Sequence, residues 1–339
     1  MLILRRSDVT SILDRSHEDV IRTVRDAYVA HARKQTSVPQ SVFLRFPDDA
    51  RNRIIALPAY VGGERPVAGV KWIASFPGNV ARGAERASAA ILLNSMTDGQ
   101  PVALVEGSVI SARRTAAGAA LAAATLTEAA GSAARTGVSL IGCGVINHEV
   151  LSFLRVQLPE LNRVTLFDLD AERTRAFGAT VRATWPGLTV ETADSIDAAF
   201  AAHRIVSLAT TASTPHITTD ACRPGTVVLH LSLRDLTPAS LLTATNVVDD
   251  ADHVCRASTS LDLAEQMVGD RQFIAAEIGD VLAGAATAPH DPDGVTVFSP
   301  FGLGALDAAL AAHVVDTAEA LGMGIELRDF TTDRSGTGA

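Results

Sequence analysis

The sequence of 339 residues has few cysteines, no long apolar run and no excess of basic residues. Its three cysteines, Cys143, Cys222 and Cys255, are too few and too scattered for a disulfide framework or a zinc site, and they fit a reducing cytoplasm. No run of about 18 apolar residues occurs, so we expect no membrane span. We also expect no signal peptide, because the N-terminus lacks the layout of one. A net charge of −9 argues against a nucleic-acid-binding surface.

Metal-ligand signatures are also missing from the sequence. His148-Glu149 lacks the second histidine of an HExxH motif, and no second ligand pair accompanies His253 and Cys255. We therefore predict no bound metal. His230 lies within an apolar run and fits a core position better than a catalytic one. The hydrophobic content of 47% is enough for a sizeable core, and the length suggests about two domains.

The most specific local pattern runs from Val138 to Asp168, VSLIGCGVINHEVLSFLRVQLPELNRVTLFD. An apolar run ends in a Gly-Cys-Gly turn, a helical pattern follows, and a second apolar run ends in Asp168. This order is typical of a βαβ dinucleotide-binding unit, although Asn147 replaces the usual third glycine. Gly142 would allow the tight turn, and Gly144 would let the backbone approach a pyrophosphate. The alternative is a glycine turn in another α/β fold.

Asp168 indicates which dinucleotide would bind. It follows the glycines at close to the expected spacing of roughly 20 residues. A carboxylate there can accept hydrogen bonds from both ribose hydroxyls, and it would repel a 2′-phosphate. We therefore predict NAD rather than NADP as the cofactor.

The hydrophobic pattern predicts two kinds of architecture along the chain. Residues 7–35 read as one amphipathic helical region with Ser16 as a cap, short apolar runs between residues 38 and 105 read as strands, and residues 115–134 read as an alanine-rich helix. After Asp168, strands alternate with helices, which predicts a doubly wound parallel sheet. A last helix over residues 304–321 is expected to return to the first domain.

The predicted fold class is α/β, with a Rossmann-type doubly wound parallel sheet and a discontinuous α+β domain for substrate binding and dimerisation. The predicted boundaries are residues 1–130 with 304–330 for the discontinuous domain, 131–303 for the NAD-binding domain, and 331–339 for a disordered tail.

Several charged residues stand in unexpected places. Lys71 and Arg45 interrupt apolar strand patterns, and burying such a cation is costly unless it is paired. Lys71 could hold a substrate carboxylate or activate a carbonyl, or it could extend to solvent from an edge strand. Arg113-Arg114 precede Thr115 at the predicted start of the alanine-rich helix, where they suit either an anion site or an exposed pair. Asp235 follows an apolar strand, where it could exchange protons or cap a turn.

Together these residues resemble the ornithine cyclodeaminase/mu-crystallin superfamily. The motifs that carry the resemblance are AGVKWIASFPGN (68–79), ISARRTAAGAALAA (110–123), IGCGVIN (141–147), LSLRD (231–235) and FGLGALD (301–307). The resemblance implies that Lys71 and Arg45 hold the substrate carboxylate. It also implies that Arg114 and Thr115 contact cofactor phosphate and substrate, and that Asp235 is an acid/base residue. We predict Lys71 and Asp235 as catalytic.

Within the superfamily, the chain is most similar to members that make 2,3-diaminopropionate. Glu85-Arg86-Ala87-Ser88 is the most telling segment, because ornithine cyclodeaminases more often carry a Gly-Leu-Pro-Thr type sequence there. The resemblance implies NAD-dependent oxidation of N-(2-amino-2-carboxyethyl)-L-glutamate to 2-oxoglutarate and L-2,3-diaminopropionate. A substrate with three carboxylates needs several cations, for which we predict Arg45, Lys71, Arg86 and Arg114.

The remaining predictions concern contacts and partners. The predicted cofactor contacts are Ser88, Arg114, Thr115, Gly142, Gly144, Val145, Ile146, Asp168, Thr210 and Ser232. We also expect a cytoplasmic homodimer that acts on a small amino-acid-derived substrate and is functionally coupled to a pyridoxal-phosphate-dependent synthase. The open alternatives are ornithine cyclodeamination, alanine dehydrogenation, imine reduction, and a non-enzymatic ligand-binding role like that of mu-crystallin.

Overall fold

The computed structural model describes residues 1–331, except for the side chain of Ala50. Residues 332–339 of the predicted disordered tail therefore lie outside the described residues. The strands are β1 (Leu2–Leu4), β2 (Thr36–Ser37), β3 (Val42–Phe46), β4 (Asp49–Val61), β5 (Val67–Ser75), β6 (Ala87–Asn94), β7 (Pro101–Glu106), β8 (Gly137–Ile141), β9 (Arg163–Phe167), β10 (Thr189–Thr192), β11 (Ile205–Leu208), β12 (Thr226–His230), β13 (Thr245–Val248), β14 (Ile274–Glu277), β15 (Val295–Ser299) and β16 (Ile325–Glu326). The helices are α1 (Arg6–Leu13), α2 (His17–Ala32), α3 (Ser108–Leu126), α4 (Val145–Gln157), α5 (Ala171–Thr184), α6 (Ile196–Ala202), α7 (Pro238–Thr243), α8 (Ala251–Val254), α9 (Ser260–Val268), α10 (Ile278–Leu282) and α11 (Gly304–Leu321), and Pro77–Arg82 and Ser132–Arg135 form 3-10 turns.

The chain forms two compact units. Unit 1 consists of Met1–Arg114 together with the residues from Leu303 onward, and unit 2 consists of Thr115–Gly302. The boundaries predicted from the sequence, residues 1–130 with 304–330 and residues 131–303, remain a prediction.

Unit 1 is built on an eight-stranded sheet in the order β16-β1-β7-β6-β5-β4-β2, with β3 paired to β4. Neighbours from β3 to β7 run antiparallel. Because side chains alternate between the two faces of a strand, one face collects Leu57, Lys71, Ile91 and Val105. All four are buried, and α11 packs against the strands that carry them.

The opposite face of this sheet is apolar but exposed. Val42, Leu44, Trp72 and Val102 lie on it, and between 41% and 64% of the surface of each is accessible. Isolated exposed hydrophobic residues are normal, whereas these four lie together on one face of the sheet.

Unit 2 contains an eight-stranded parallel sheet in the order β10-β9-β8-β11-β12-β15-β13-β14. The strands β8, β11 and β12 are buried along their whole length, as expected for a parallel sheet covered on both faces. The strand order reverses between β8 and β11. In open α/β sheets, ligands bind at the carboxyl ends of the strands beside such a reversal. The predicted fold class is confirmed.

Two helix predictions were wrong. The region predicted as one helix over residues 7–35 is α1 and α2, because Ser16 accepts a hydrogen bond from the Asp19 amide and starts a new helix. The alanine-rich helix begins at Ser108 rather than at residue 115 and ends at Leu126. Among the helices of residues 1–331, none has the length and hydropathy that a membrane span requires.

Candidate active site

A buried ionic group lies under the sheet of unit 1. Lys71 projects from β5, and its Nζ donates to Asp307 Oδ2 at 2.6 Å and to Ser111 Oγ at 3.3 Å. Arg114 on α3 donates through Nε to the other oxygen of Asp307 at 3.1 Å. Lys71 is 3% exposed and Asp307 is 1% exposed. One carboxylate therefore bridges two cations, which leaves one positive charge in excess.

The protonation of Lys71 is finely balanced. Burial lowers the pKa of Lys71 to about 8; the attraction of Asp307 opposes this shift and the charge of Arg114 adds to it. The lysine is thus a cation in neutral solution that can lose its proton within a physiological range. Its position on a central strand excludes the alternative of a lysine extending to solvent from a sheet edge.

Asp307 was not identified as a site residue from the sequence. The sequence feature that could have identified Asp307 is a carboxylate within the alanine-rich run of α11, where it lies among buried residues such as Leu306 and Leu310. A charge on the buried side of a helix needs a partner. The sequence does not show which cation supplies it.

Arg113 and Arg114 do not lie at the start of the alanine-rich helix, as the sequence had suggested. Because α3 begins at Ser108, Arg114 lies nearly two turns inside it. The first amides of α3 are occupied, since the Glu106 carboxylate accepts hydrogen bonds from the amides of Ser108 and Val109. Arg113 pairs with Asp14.

Three further predicted contacts lie on β3, on β6 and just before β6. Arg45 is exposed on β3, and Ser88 is exposed on β6. Arg86 is half-buried and donates to Ser75 Oγ at 2.9 Å; burial lowers the pKa of this guanidinium. Thr115 is half-buried on α3, at the first position of unit 2.

In unit 2, the glycine-rich turn has the geometry that a dinucleotide requires. Gly142 adopts a φ of +94°, and a Cβ there would collide with the carbonyl oxygen of Ala209. A Cβ at Gly144 would meet no atom within 4 Å, so the backbone is open to a ligand. Val145 and Ile146 begin α4, whose N-cap makes no side-chain hydrogen bond, which leaves amides and the helix dipole for a phosphate.

Asn147 explains how the turn works without a third glycine. Its amide nitrogen donates to the carbonyl oxygens of Ile141 and Gly142 at 2.9 and 2.7 Å. Its oxygen accepts from Ser207 Oγ on β11 at 2.7 Å. The asparagine therefore fastens the turn to two neighbouring strands.

Asp168 lies at the end of β9, beside the same turn. Its Oδ2 accepts from the Cys143 amide at 2.8 Å, and its Oδ1 accepts from the Asp170 amide at 3.0 Å. The carboxylate is half-buried and can still accept hydrogen bonds from ribose hydroxyls. The open backbone at Gly144, the uncapped helix and this carboxylate together fit NAD.

Asp235 is the centre of a second polar cluster in unit 2. It is fully buried, and its two oxygens accept hydrogen bonds from the hydroxyls of Thr210 and Ser232. Leu233 adopts a φ of +65°, a left-handed turn that is unusual for leucine. Both hydroxyl-bearing residues are only half-buried, so they separate the carboxylate from the surface.

The surroundings of Asp235 keep it ionised. Burial alone would raise the pKa of Asp235, but the adjacent His230 and the hydroxyls of Ser232 and Thr210 outweigh it and hold the pKa below its usual value. The Asp235 amide donates to His230 Nε2 at 3.3 Å, and His230 Nδ1 lies 3.2 Å from Ser299 Oγ. His230 Nε2 also lies 3.5 Å from Asp235 Oδ2, where a protonated imidazole stabilises the ionised carboxylate.

No group of three or more His, Cys, Asp or Glu side chains is arranged to hold a metal within the described part of the chain.

Comparison with known proteins gives relatives along nearly the whole chain. The N-((2S)-2-amino-2-carboxyethyl)-L-glutamate dehydrogenase of Staphylococcus aureus is 27% identical over 96% of this chain and 98% of its own. The Thermococcus litoralis Δ1-pyrroline-2-carboxylate reductase, solved with NADH and L-proline, is 25% identical, with a TM-score of 0.87 over 96% of this chain and 100% of its own. An archaeal alanine dehydrogenase dimer with bound NAD shares the fold, with 24% identity and a TM-score of 0.86 over 97% and 99% of the two chains.

The family model for ornithine cyclodeaminases and mu-crystallins matches residues 2–322. The resemblance predicted from the motifs is confirmed, and the chain belongs to the ornithine cyclodeaminase/mu-crystallin family.

Proposed function

We propose that this protein is an NAD-dependent oxidoreductase that cleaves N-(2-amino-2-carboxyethyl)-L-glutamate into L-2,3-diaminopropionate and 2-oxoglutarate. The observation that carries the proposal is the buried Lys71–Asp307–Arg114 group with its one excess positive charge. Such a group complements one substrate carboxylate. The 27% identity to the staphylococcal dehydrogenase over nearly the full length favours this substrate.

The overall reaction balances with water as the second reactant. NAD⁺, held by the glycine-rich turn and Asp168, would supply the acceptor for the hydride lost from the α-carbon of the glutamate moiety. Water then adds to the resulting C=N bond of the substrate, and the C–N bond breaks. One secondary ammonium, one NAD⁺ and one water thus give one primary ammonium, one keto acid, one NADH and one proton.

The residues of unit 1 orient the substrate. Lys71 and Arg114 bind the carboxylate beside the carbon that loses hydride, and Asp307 keeps the two cations together. This fixes the direction of the reacting C–H bond, which is the main contribution that positioning makes to the rate.

The residues of unit 2 hold the cofactor and move protons. The backbone from Gly144 to Ile146 binds the pyrophosphate, and Asp168 binds the ribose. Asp235 is buried and ionised, so it accepts protons through the hydroxyls of Thr210 and Ser232. It serves as the base that deprotonates the amine or the attacking water.

The test is a substrate comparison with purified protein and NAD⁺. We expect NADH and 2-oxoglutarate to form in equal amounts from the glutamate-linked amine, and little NADH to form from ornithine, alanine or proline. Proline and ammonia produced from ornithine at a comparable rate would overturn the proposal. Faster reduction of Δ1-pyrroline-2-carboxylate with NADH would assign the activity of the Thermococcus relative instead, and binding without turnover would favour a mu-crystallin-like role.

We also propose that a second copy of this chain covers the exposed face of the unit 1 sheet. Its residues Val42, Leu44, Trp72 and Val102 form an apolar patch, and the archaeal alanine dehydrogenase of the same fold is a dimer. Burying four large apolar side chains contributes several kcal/mol, at about 1.5–3 kcal/mol for each one fully buried.

The proposed substrate implies a supplier and a location. It joins glutamate to an aminopropionate unit, so a pyridoxal-phosphate-dependent synthase is the class of enzyme that makes it. We place both enzymes in the cytoplasm, where NAD is available and the cysteines Cys143, Cys222 and Cys255 stay reduced.

A further inference from the structure

Two loops of unit 2 share an unusual backbone conformation. Three of the five non-glycine residues with a positive φ among residues 1–331 are Leu233, Ala257 and Ser258, at +65°, +58° and +55°. Leu233 follows β12, and the other two lie in the Ala257 turn, residues 255–259 between α8 and α9. This left-handed conformation is unfavourable for a residue with a Cβ atom. Such residues persist only where their surroundings hold them, and they cluster at functional sites.

Hydrogen bonds join the Ala257 turn to the Leu233 turn, which we define as residues 231–235. Arg234 donates through Nη2 to the carbonyl oxygen of Ala257 at 2.7 Å. The Ser260 amide donates in the other direction, to the carbonyl oxygen of Leu233 at 2.8 Å. Both accepting carbonyls belong to left-handed residues, so each turn holds the unusual conformation of the other.

The Ala257 turn is itself held by the helices that it connects. Its Ser258 amide donates to Asp262 Oδ2 on α9 at 2.7 Å. Its Thr259 hydroxyl donates to the carbonyl oxygen of Val254 on α8 at 2.5 Å. A side chain that bonds to this turn is therefore tied to α8 and α9 as well.

The Leu233 turn determines where the Asp235 carboxylate lies. The Ser232 hydroxyl donates to this carboxylate from three residues earlier, so the contact spans Leu233 and Arg234. On the far side of the turn, the Asp235 carbonyl oxygen accepts from the Ile217 amide at 2.9 Å. If Leu233 relaxed to an ordinary conformation, the Ser232 hydroxyl and the carboxylate would move apart.

We propose that Arg234 is a positioning residue, which ties the Leu233 turn to the Ala257 turn and thereby keeps the Asp235 carboxylate bonded to the Ser232 hydroxyl. This inference deepens the proposed function and rests on it, because Asp235 is taken as the base. Arg234 acts through the backbone of its neighbours and exchanges no proton, since a guanidinium stays protonated in proteins.

The test compares Arg234→Gln with wild type on the glutamate-linked amine, with rates divided by the number of NADH-binding sites. We expect kcat to fall by about tenfold to a hundredfold, the effect of one lost hydrogen bond to a charged group, while KM changes little. Burial raises the pKa of Asp235, and His230, Ser232 and Thr210 lower it. Loosening the Ser232 contact should therefore move the acid limb of kcat toward neutral pH. Arg234→Lys keeps the charge and one donor, so it should restore part of the turnover.

A pair of variants at Ser258 tests the backbone conformation directly. Ser258 is exposed, so a change of its side chain disturbs little packing. Ser258→Val should lower kcat in the same direction as Arg234→Gln, because a β-branched residue strongly disfavours the left-handed conformation. Ser258→Gly should match wild type, because glycine adopts that conformation freely.

Arg182→Gln is the matched control, because it removes the same kind of bond elsewhere in unit 2, from Arg182 Nη2 to the carbonyl oxygen of Val190 at 3.1 Å. It should leave kcat and the pH profile unchanged. Full kcat in Arg234→Gln, an acid limb that does not move, or no recovery in Arg234→Lys would overturn the proposal. If Arg234→Gln fails to fold, as judged by circular dichroism and NADH binding, the Ser258 pair replaces it, and equal kcat in Ser258→Val and Ser258→Gly overturns the proposal.

Hydrogen exchange measured by mass spectrometry separates this proposal from the proposed function, because it needs no substrate. In Arg234→Gln with bound NADH, the Ser260 and Ile217 amides should exchange faster than in wild type or in Arg182→Gln. If wild type does not oxidise the glutamate-linked amine but these amides exchange faster in Arg234→Gln, the tie between the turns stands and the proposed substrate is wrong. If the amine is oxidised while kcat and exchange are unchanged in Arg234→Gln, the substrate stands and the positioning role is wrong.

Discussion

At the scale of single residues, Lys71 links burial to pH dependence. Its pKa is lowered to about 8 by burial, so the ammonium that binds a carboxylate is present below that pH and lost above it. We predict that kcat/KM falls as pH rises through about 8. Lys71→Arg should abolish this fall of kcat/KM at high pH, since an arginine keeps its proton. Lys71→Ala should lower kcat/KM by about two to three orders of magnitude.

The control for this prediction is the other lysine of the chain, Lys34, which is exposed. Lys34→Arg should leave both the rate and the pH profile unchanged. A limb near pH 8 that survives in Lys71→Arg would show that another group titrates there.

Asp235 determines how turnover should depend on pH on the acid side of the pH profile. Asp235→Asn keeps the shape but removes the proton acceptor, so turnover should fall by about 10²- to 10⁴-fold.

Ser232→Ala and Thr210→Val remove the hydroxyl donors that stabilise the ionised form of Asp235. The pKa of Asp235 should therefore rise, and the acid limb of kcat should move toward neutral pH. Asp197→Asn, on the exposed side of α6, is the control, and an acid limb unmoved in both hydroxyl variants would contradict the argument.

The sequence predicts the site residues whose charge interrupts or follows an apolar strand. It misses a residue whose role depends on a partner far away in the chain. Lys71 and Asp235 stand out because a charge interrupts or follows an apolar strand. Asp307 does not, since its role depends on a partner on another element. Lys71 and Asp307 are 236 residues apart in the sequence.

At the scale of elements, the turn between β8 and α4 is held by β9 through Asp168. We predict that Asp168→Ala weakens NAD binding and narrows the preference for NAD over NADP, because the variant loses a ribose acceptor, a repulsive charge and the bond to the Cys143 amide. Fluorescence titration with both cofactors measures this. Glu191→Ala, which removes an exposed carboxylate from the next strand, should change neither affinity. Equal affinities of wild type for the two cofactors would refute the assignment.

Element boundaries were predictable where apolar periodicity and capping agree. Helix α11 matches the range predicted for it, residues 304–321. The break before Ser16 was not apparent, because the apolar period continues across it, although the cap itself was identified. The true start of α3 was missed because its capping carboxylate, Glu106, comes from the end of the preceding strand rather than from a typical N-cap position.

At the scale of the whole molecule, the apolar sheet face leads to a prediction about assembly. We expect a homodimer at micromolar concentration in light scattering. Trp72→Glu should shift it toward monomer, because a charge replaces a large apolar side chain that is 47% exposed in one chain and would be desolvated in the dimer. Met267→Glu is the control, because Met267 is an exposed apolar residue of unit 2. A monomeric wild type would contradict the proposal.

Unit 1 is built from both ends of the chain, and this has a consequence for the order of folding during synthesis. Seven of the eight strands of its sheet come from the first part of the chain, but β16, α11 and the pairing of Met1 with Leu327 come from the last. A ribosome therefore delivers Lys71 long before its counter-ion Asp307, whereas unit 2 is contiguous and can fold as soon as it emerges. Until α11 arrives, the apolar face of the early strands has no cover. The nascent chain is thus most vulnerable to aggregation while unit 2 is being made, and a protein that ends before α11 would lack both the cover and the charge that Lys71 requires.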